Sequence, residues 1–200
     1  MTAPEIVLAS ASSARRMLLE NAGVSALAEP ARIDEEAVKE ALAAEGASAR
    51  DVADALAELK ALKIAERHPQ AFVIGADQTL DCAGRWFDKP VGRDGARAHL
   101  AALSGRVHSL QSAVCVARGG VVLWRHVGIA RLTMRRLEPG YIERYLDLAG
   151  DAVLESVGAY RLEGLGAQLF EAVEGDYFTV LGLPLLPLLD FLRRHGALAT

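Results

Sequence analysis

An α/β fold, a mixed β-sheet flanked by helices, is predicted for this chain of 200 residues by two patterns in its sequence. In the first half, short apolar runs rich in β-forming residues alternate with stretches of helical periodicity. Between residues 107 and 136 the pattern changes to two alternating segments around Arg118-Gly119-Gly120, which predicts a hairpin. Because no linker or repeat divides the chain, we expect a single domain over residues 1–200, with room for two lobes on one sheet.

The elements follow in chain order from apolar spacing and end signals. Strands are predicted at 5–9, 71–76, 107–117 and 121–135, and helices at 14–22, 34–44, 48–67, 93–103, 138–147 and 184–194. Ser48 followed by Asp51 predicts a capping box, and Pro139 predicts the first turn of a helix. The glycines between residues 148 and 181 predict a series of short strands.

Composition excludes several classes of protein. A hydrophobic fraction of 52% with 24% charged residues excludes intrinsic disorder. A net charge of −4 argues against a general nucleic-acid binder, although Arg131, Arg135 and Arg136 form a local basic strand. No secretory signal or membrane-length apolar stretch is visible, and the two cysteines lack metal-type spacing, so we expect a cytoplasmic protein without membrane contact.

A strand that ends in small hydroxyl residues and leads directly into a helix is the first candidate site. Ser10 and Ser12 precede the helix predicted at 14–22, and Arg15 lies at its start. The backbone N–H groups at a helix N-terminus lie at the positive end of the helix dipole, so such an end binds phosphate. The same residues also fit a simple helix cap with a solvated arginine, and both interpretations remain open.

Two further segments place a charged residue beside a strand end or a rigid turn. Asp77 follows the strand predicted at 71–76, where ligands bind in open α/β sheets. A carboxylate there can hold Mg²⁺, act as a general base, or simply cap a turn. Lys89 precedes Pro90, and a lysine near a phosphate neutralises negative charge as it develops.

A glutamate between glycine-rich turns, Glu163, could bind the edge of a nucleobase, with Tyr160 or Tyr177 stacking on the base. The two tyrosines fit ordinary core positions equally well. The five histidines are scattered without ligand spacing, which gives no support to a zinc site or a Ser-His-Asp triad.

Taken together and in this order, the segments resemble the Maf family of nucleoside triphosphate pyrophosphatases. The similarity runs from Leu8 to about Arg194 and includes Leu8-Ala-Ser-Ala-Ser12, Gly75-Ala-Asp77, Lys89-Pro90, Leu103-Ser-Gly-Arg-Val-His108, Gly158-Ala-Tyr160, Gly175-Asp-Tyr177 and Gly182-Leu-Pro-Leu185. The resemblance implies an elongated fold with a cleft between two lobes, often in a homodimer. It also implies hydrolysis of a nucleoside triphosphate to monophosphate and pyrophosphate with a divalent cation, which clears modified nucleotides.

The resemblance implies roles for individual residues. Those that match the family's functional positions are Ser10, Ser12, Arg15, Glu35, Lys60, Asp77 and Lys89. The resemblance implies that the serines and the arginine bind phosphate, and that both lysines hold the triphosphate. It further implies that Asp77 is the general base and that Asp77 and Glu35 hold Mg²⁺ or Mn²⁺. Many members have Pro-Arg-Arg after the second serine, where this chain has Ser13-Ala14-Arg15-Arg16, which leaves the role of Arg16 open.

Two substrate-binding positions bear on base preference. Gln78 and Glu163 stand where the branch acting on dTTP and UTP has threonine and glutamine, and both, together with Leu169-Phe170-Glu171, resemble the 7-methyl-GTP branch. A carboxylate only accepts hydrogen bonds, which suits the N1–H and N2–H donors of guanine and the positive charge of its 7-methyl form. Gly158-Ala-Tyr160, in contrast, is closer to the first branch.

Two alternatives to an enzyme remain at this stage. One is a regulator of cell division that binds nucleotides without turnover, a role associated with the family's name. The other is a nucleic-acid binder that uses the basic strand, against which the acidic total charge argues.

Overall fold

The computed structural model describes residues 4–199, and within that range seven strands form one mixed sheet. The strands are β1 Ile6–Leu8, β2 Leu27–Ala28, β3 Phe72–Cys82, β4 Arg85–Phe87, β5 Val107–Arg118, β6 Val121–Met134 and β7 Phe170–Glu174. Their order is β2-β1-β3-β5-β6-β7, with β4 paired to β3. β1 is parallel to β2 and β3, whereas the β3–β4 and β6–β7 pairs are antiparallel. The mixed α/β class predicted from the sequence is confirmed.

Helices occupy the positions that the apolar spacing predicts, within one or two residues at most ends. They are α1 Ser13–Asn21, α2 Glu35–Ala44, α3 Ala49–Ala65, α4 Gly92–Leu103, α5 Pro139–Ala149, α6 Tyr177–Val180 and α7 Leu185–Arg194. The capping box at Ser48 and Asp51 is present, and Pro139 is the first residue of α5. Among the described residues no helix combines the length and the hydropathy needed to cross a membrane.

Two sequence-based predictions about strands are wrong. The region 148–181 holds three 3₁₀ segments (Gly150–Glu155, Val157–Ala159 and Leu165–Leu169), β7 and the single turn α6, in place of a series of strands. Its glycines serve close packing instead: a Cβ at Gly158 would lie 2.6 Å from Leu80 Cδ1. The strand predicted at 71–76 continues to Cys82, so Asp77 lies inside β3 and not at its end.

The chain divides into two compact units. The first contains the residues up to Gln78, the segment Ser112–Gly128 and the residues from Gly182 onward. The second contains Thr79–Gln111 and Ile129–Leu181. Each unit has its own buried apolar cluster, so each is stabilised by its own hydrophobic core.

In the first unit α3 packs closely against β3. Successive residues of a strand point to opposite faces, so Val73, Gly75 and Asp77 share the face toward α3. A Cβ at Gly75 would lie 2.1 Å from Ala57 O and 2.6 Å from Ala61 N, both backbone atoms of α3. Only glycine allows this approach, which brings α3 side chains within reach of Asp77.

In the second unit His108 and Tyr160 form a buried hydrogen-bonded pair. His108 Nε2 lies 2.7 Å from Tyr160 Oη, and the ring of Phe170 packs edge-on against Tyr160. Burial lowers the pKa of His108 to about 4 and raises the pKa of Tyr160. Tyr160 is therefore a core residue, whereas Tyr177 is exposed.

The His108–Tyr160 pair predicts a pH-dependent stability. His108 stays neutral in the folded protein down to about pH 4, whereas an unfolded histidine binds its proton near pH 6.5. Stability from this group is complete above about pH 6.5 and falls as the pH drops toward 4, by up to ~3 kcal/mol. This pH dependence can be measured by urea unfolding of the wild type and of the double variant His108→Phe/Tyr160→Phe between pH 7.5 and 4.5. We expect a shallower decline for the variant, and parallel declines would contradict this assignment.

Candidate active site

Lys60 joins two acidic residues in the first unit. Its Nζ lies 2.6 Å from Asp77 Oδ1 and 2.8 Å from Glu35 Oε1. Lys60 comes from α3, Asp77 from β3 and Glu35 from the first residue of α2. We call these three residues the acid–lysine cluster.

Burial makes the charges of the acid–lysine cluster depend on each other. Lys60 and Asp77 are 6% and 5% exposed, so each charge has lost most of its hydration and needs its partner. Partial burial acts to raise the pKa of Glu35, but the charge and hydrogen bond of Lys60 outweigh it and hold that pKa below its ordinary value. Glu35 is therefore ionised at neutral pH.

Lys60 binds Oδ1 of Asp77, and the second carboxylate oxygen of Asp77 is Oδ2. Oδ2 is buried, and within residues 4–199 it has no hydrogen-bond partner. An unsatisfied buried carboxylate oxygen is costly, and atoms of this kind are often satisfied by a bound water or ion. A carboxylate oxygen has two lone pairs, so Oδ2 is suited both to bind a hard cation and to accept a proton from water.

A divalent cation fits this arrangement. The described residues contain no group of three or more acidic, cysteine or histidine side chains suited to a metal ion. Mg²⁺ does not need such a group, because it binds through one or two carboxylates and takes its other ligands from water and substrate phosphates. Asp77 Oδ2 and the partly exposed Glu35 are the two carboxylate donors that the acid–lysine cluster offers.

The N-terminus of α1 follows β1 and is organised by Arg15. Ser12 is the N-cap, and its Oγ accepts a hydrogen bond from Arg15 N at 3.3 Å. Ser10 Oγ accepts from Ser12 N at 3.3 Å and from Arg15 Nη1 at 3.1 Å, which leaves its own O–H as a donor. Arg15 also donates from Nη1 to Ala76 O at 2.7 Å and from Nε to Gly182 O at 2.8 Å.

Arg15 thus ties α1 to the residue before Asp77. The side chain is buried, and this burial lowers its pKa, while the nearby charges of Asp77 and Glu35 act in the opposite direction. The guanidinium places a positive charge near both carboxylates while two of its nitrogens bind the protein itself. Arg16, in contrast, is exposed and pairs with Glu20 at 3.7 Å.

The three remaining predicted site residues are Gln78, Lys89 and Glu163. Gln78 Nε2 donates to Ser112 Oγ at 2.8 Å in the first unit. In the second unit, Lys89 is exposed in the segment between β4 and α4. Glu163, also in that unit, accepts from Arg161 Nε at 2.9 Å. The roles of all three as site residues stay predictions.

The family model described as Maf-like protein matches residues 5–195. This chain belongs to the Maf family. The nucleoside triphosphate pyrophosphatase of Paramagnetospirillum magneticum is 56% identical over 96% of this chain and 99% of its own length. The 7-methyl-GTP pyrophosphatases of Mesorhizobium japonicum and Rhizobium meliloti are 55% and 53% identical, over 97% and 98% of this chain and 98% of their own lengths.

In this Maf-family chain the first unit brings together most of the predicted residues. Ser10, Ser12 and Arg15 are linked by hydrogen bonds, and Glu35, Lys60 and Asp77 form the acid–lysine cluster. Sequence reasoning missed the carbonyl group of Gly182, which fixes Arg15, and Ser112, which binds Gln78. The Gly-Leu-Pro segment at residue 182 is a signal of a special backbone position, and its φ is +94°.

Proposed function

We propose that this Maf-family protein hydrolyses nucleoside triphosphates to monophosphate and pyrophosphate, and that it thereby removes modified nucleotides. The observation that carries the proposal is Asp77 Oδ2, which is buried in a cluster ordered by Lys60 and has no hydrogen-bond partner among the described residues. Full-length relatives named as nucleoside triphosphate pyrophosphatases support it. The alternative of a non-enzymatic regulator is not favoured, because these relatives are enzymes by name along nearly their whole length.

The chemistry follows from the first unit's own groups. Water attacks the α-phosphorus, the bond to the bridging oxygen breaks, and pyrophosphate leaves with the electron pair. Lys60 binds Oδ1 of Asp77 and so fixes the carboxylate, while Oδ2 accepts the proton of the attacking water. Ser10 and the first N–H groups of α1 donate to phosphate oxygens.

A divalent cation belongs to this proposal as well. Asp77 and Glu35 would hold Mg²⁺ or Mn²⁺, which when bound neutralises charge on the phosphate oxygens. Lys60 and Arg15 of the first unit supply further positive charge for the triphosphate in this proposal, and the role of Lys89 in the second unit stays a separate prediction.

We propose 7-methyl-GTP as the preferred class of substrate, recognised through Glu163. Arg161 occupies one oxygen of the carboxylate, and the second can accept from the N–H groups of guanine. Glu163→Gln removes the charge but keeps the shape, so we expect the ratio of kcat/KM for 7-methyl-GTP over UTP to fall about tenfold. Glu174→Gln, an exposed acid at the end of β7 in the same unit, is the matched control. An unchanged substrate ranking would exclude Glu163 as the base-reading residue.

The function itself is tested by pyrophosphate release from purified protein. The substrates are 7-methyl-GTP, GTP, UTP and 5-methyl-UTP, each with Mg²⁺ and with Mn²⁺. Turnover of at least one triphosphate is expected, whereas binding without turnover would support the regulator instead.

The proposal includes four further features: domain organisation, location, oligomeric state and the absence of a nucleic-acid complex. Both units act as one functional domain, because the family match at 5–195 runs through both. The protein is a cytoplasmic homodimer that forms no stable complex with nucleic acid. Light scattering tests the homodimer, and cell fractionation tests the cytoplasmic location. DNA binding at varied salt tests the absence of a stable nucleic-acid complex.

A further inference from the structure

One face of α3 carries a row of positive side chains. Lys60, Lys63 and Arg67 follow at helical spacings of three and four, with Arg67 and His68 just beyond the last residue of the helix. All three cations contact the segment 29–35, which leads from β2 into α2.

The first residue of the segment 29–35 contacts the cation farthest along the chain, and its last residue contacts the earliest cation, Lys60. Glu29 at its start binds two partners: its Oε1 pairs with Arg67 Nη1, and its Oε2 lies 2.7 Å from His68 Nε2. In the middle, Lys63 Nζ donates to Arg32 O. At the end, Glu35 binds Lys60. We call the Glu29 and Lys63 contacts the α3 clasp.

Glu35 begins α2, a helix that packs against α3 without a fully buried side chain. Every residue of α2, Glu35–Ala44, is at least partly exposed, so no buried side chain anchors the helix in a core. The segment before it is fixed at one end by the hydrogen bond from Glu29 N to Leu8 O at 3.0 Å. Between that point and Lys60, the α3 clasp supplies the charged contacts that locate the backbone.

We propose that Lys63 and Glu29 are positioning residues that hold Glu35 against Lys60 and Asp77, and thereby set the turnover rate. This proposal rests on the proposed pyrophosphatase function. Among the described residues, Lys63 Nζ donates to a main-chain oxygen, that of Arg32, and not to a member of the acid–lysine cluster. Its effect on the reaction has to pass through the placement of Glu35.

The experiment uses the full chain and Lys63→Met, which removes the donor but keeps the apolar stem. We expect kcat to fall about tenfold with little change in KM, because a misplaced group costs turnover more than binding. Lys63→Arg should recover most of the activity. Arg194→Met removes an exposed ion pair with Asp190 in α7 of the same unit and should behave as wild type.

Repeating the Lys63→Met change in a Glu35→Gln background separates positioning from general damage. With Glu35 already impaired, Lys63→Met should cost no further turnover, since effects through one group are not additive. Amide hydrogen exchange of residues 29–36 should be faster in Lys63→Met without nucleotide, at an unchanged urea midpoint. Glu29→Gln provides the same comparison if Lys63→Met does not fold.

The outcomes distinguish the two proposals. If wild type hydrolyses none of the triphosphates, the function and the positioning role both fail. If wild type is active and Lys63→Met keeps its kcat, or loses the same factor in both backgrounds, the positioning role is overturned and the function stands.

Discussion

Asp77→Asn is expected to lower kcat by about 10²–10³, the loss typical of removing one electrostatic or proton-accepting group from an active site. Asparagine has nearly the same shape, so Lys60 keeps an oxygen to bind at the Oδ1 position. It can no longer accept the proton of water, and it is a poor ligand for a hard cation. The buried Lys60 loses one of its two charged partners, so the free energy of unfolding should fall as well, while the ion pair with Glu35 remains.

The matched control for this variant lies in the same strand. Asp81→Asn also replaces an aspartate of β3, and its amide oxygen can still accept the hydrogen bond from Gly84 N. This control should keep wild-type turnover. Circular dichroism confirms that both proteins are folded. If Asp77→Asn kept more than about a tenth of wild-type turnover at saturating metal, Asp77 would not be the general base.

Gly75→Ala is expected to reduce the free energy of unfolding by ~3 kcal/mol or more. The new Cβ would meet the backbone of α3 at Ala57 O and Ala61 N, at distances that no Cβ tolerates. Backbone cannot rotate away as a side chain can, so the whole helix has to shift from β3. The shift would also carry Lys60 away from Asp77, and turnover should fall with stability.

Gly140→Ala is the control for the same chemical change. Gly140 lies in the first turn of α5, where a Cβ would meet nothing within 4 Å. Alanine there should leave the protein unchanged or slightly more stable, because it favours the helix. Urea unfolding of both variants gives the comparison, and an unchanged midpoint for Gly75→Ala would contradict the close α3–β3 packing.

The helices were predictable because their signals are local. The capping box at Ser48 and the proline at 139 act within one turn, and the structure places both at helix starts. The end of β3 was not predictable in this way, since a buried aspartate normally marks the end of a strand. Asp77 is tolerated inside β3 because Lys60, 17 residues earlier in the chain, neutralises it.

The site was predictable as a set of residues but not as an arrangement. The resemblance to the Maf family named Glu35, Lys60 and Asp77, and the structure shows that they form one cluster. The α3 clasp depends on contacts between residues about 30 to 40 positions apart, so no local sequence pattern predicts it. Likewise, the 3₁₀ segments between 150 and 169 follow from packing around Gly158 and Gly166, which composition alone does not reveal.

The central claim is that the protein directs water to the α-phosphorus of a nucleoside triphosphate. It is tested most directly by hydrolysis of 7-methyl-GTP in water enriched in ¹⁸O, followed by analysis of the separated products by mass spectrometry. Attack of water on the α-phosphorus places the heavy oxygen in the nucleoside monophosphate and leaves pyrophosphate unlabelled. Heavy oxygen found in pyrophosphate or orthophosphate would contradict this account. It would also be contradicted if neither 7-methyl-GTP nor any other nucleotide tested were hydrolysed.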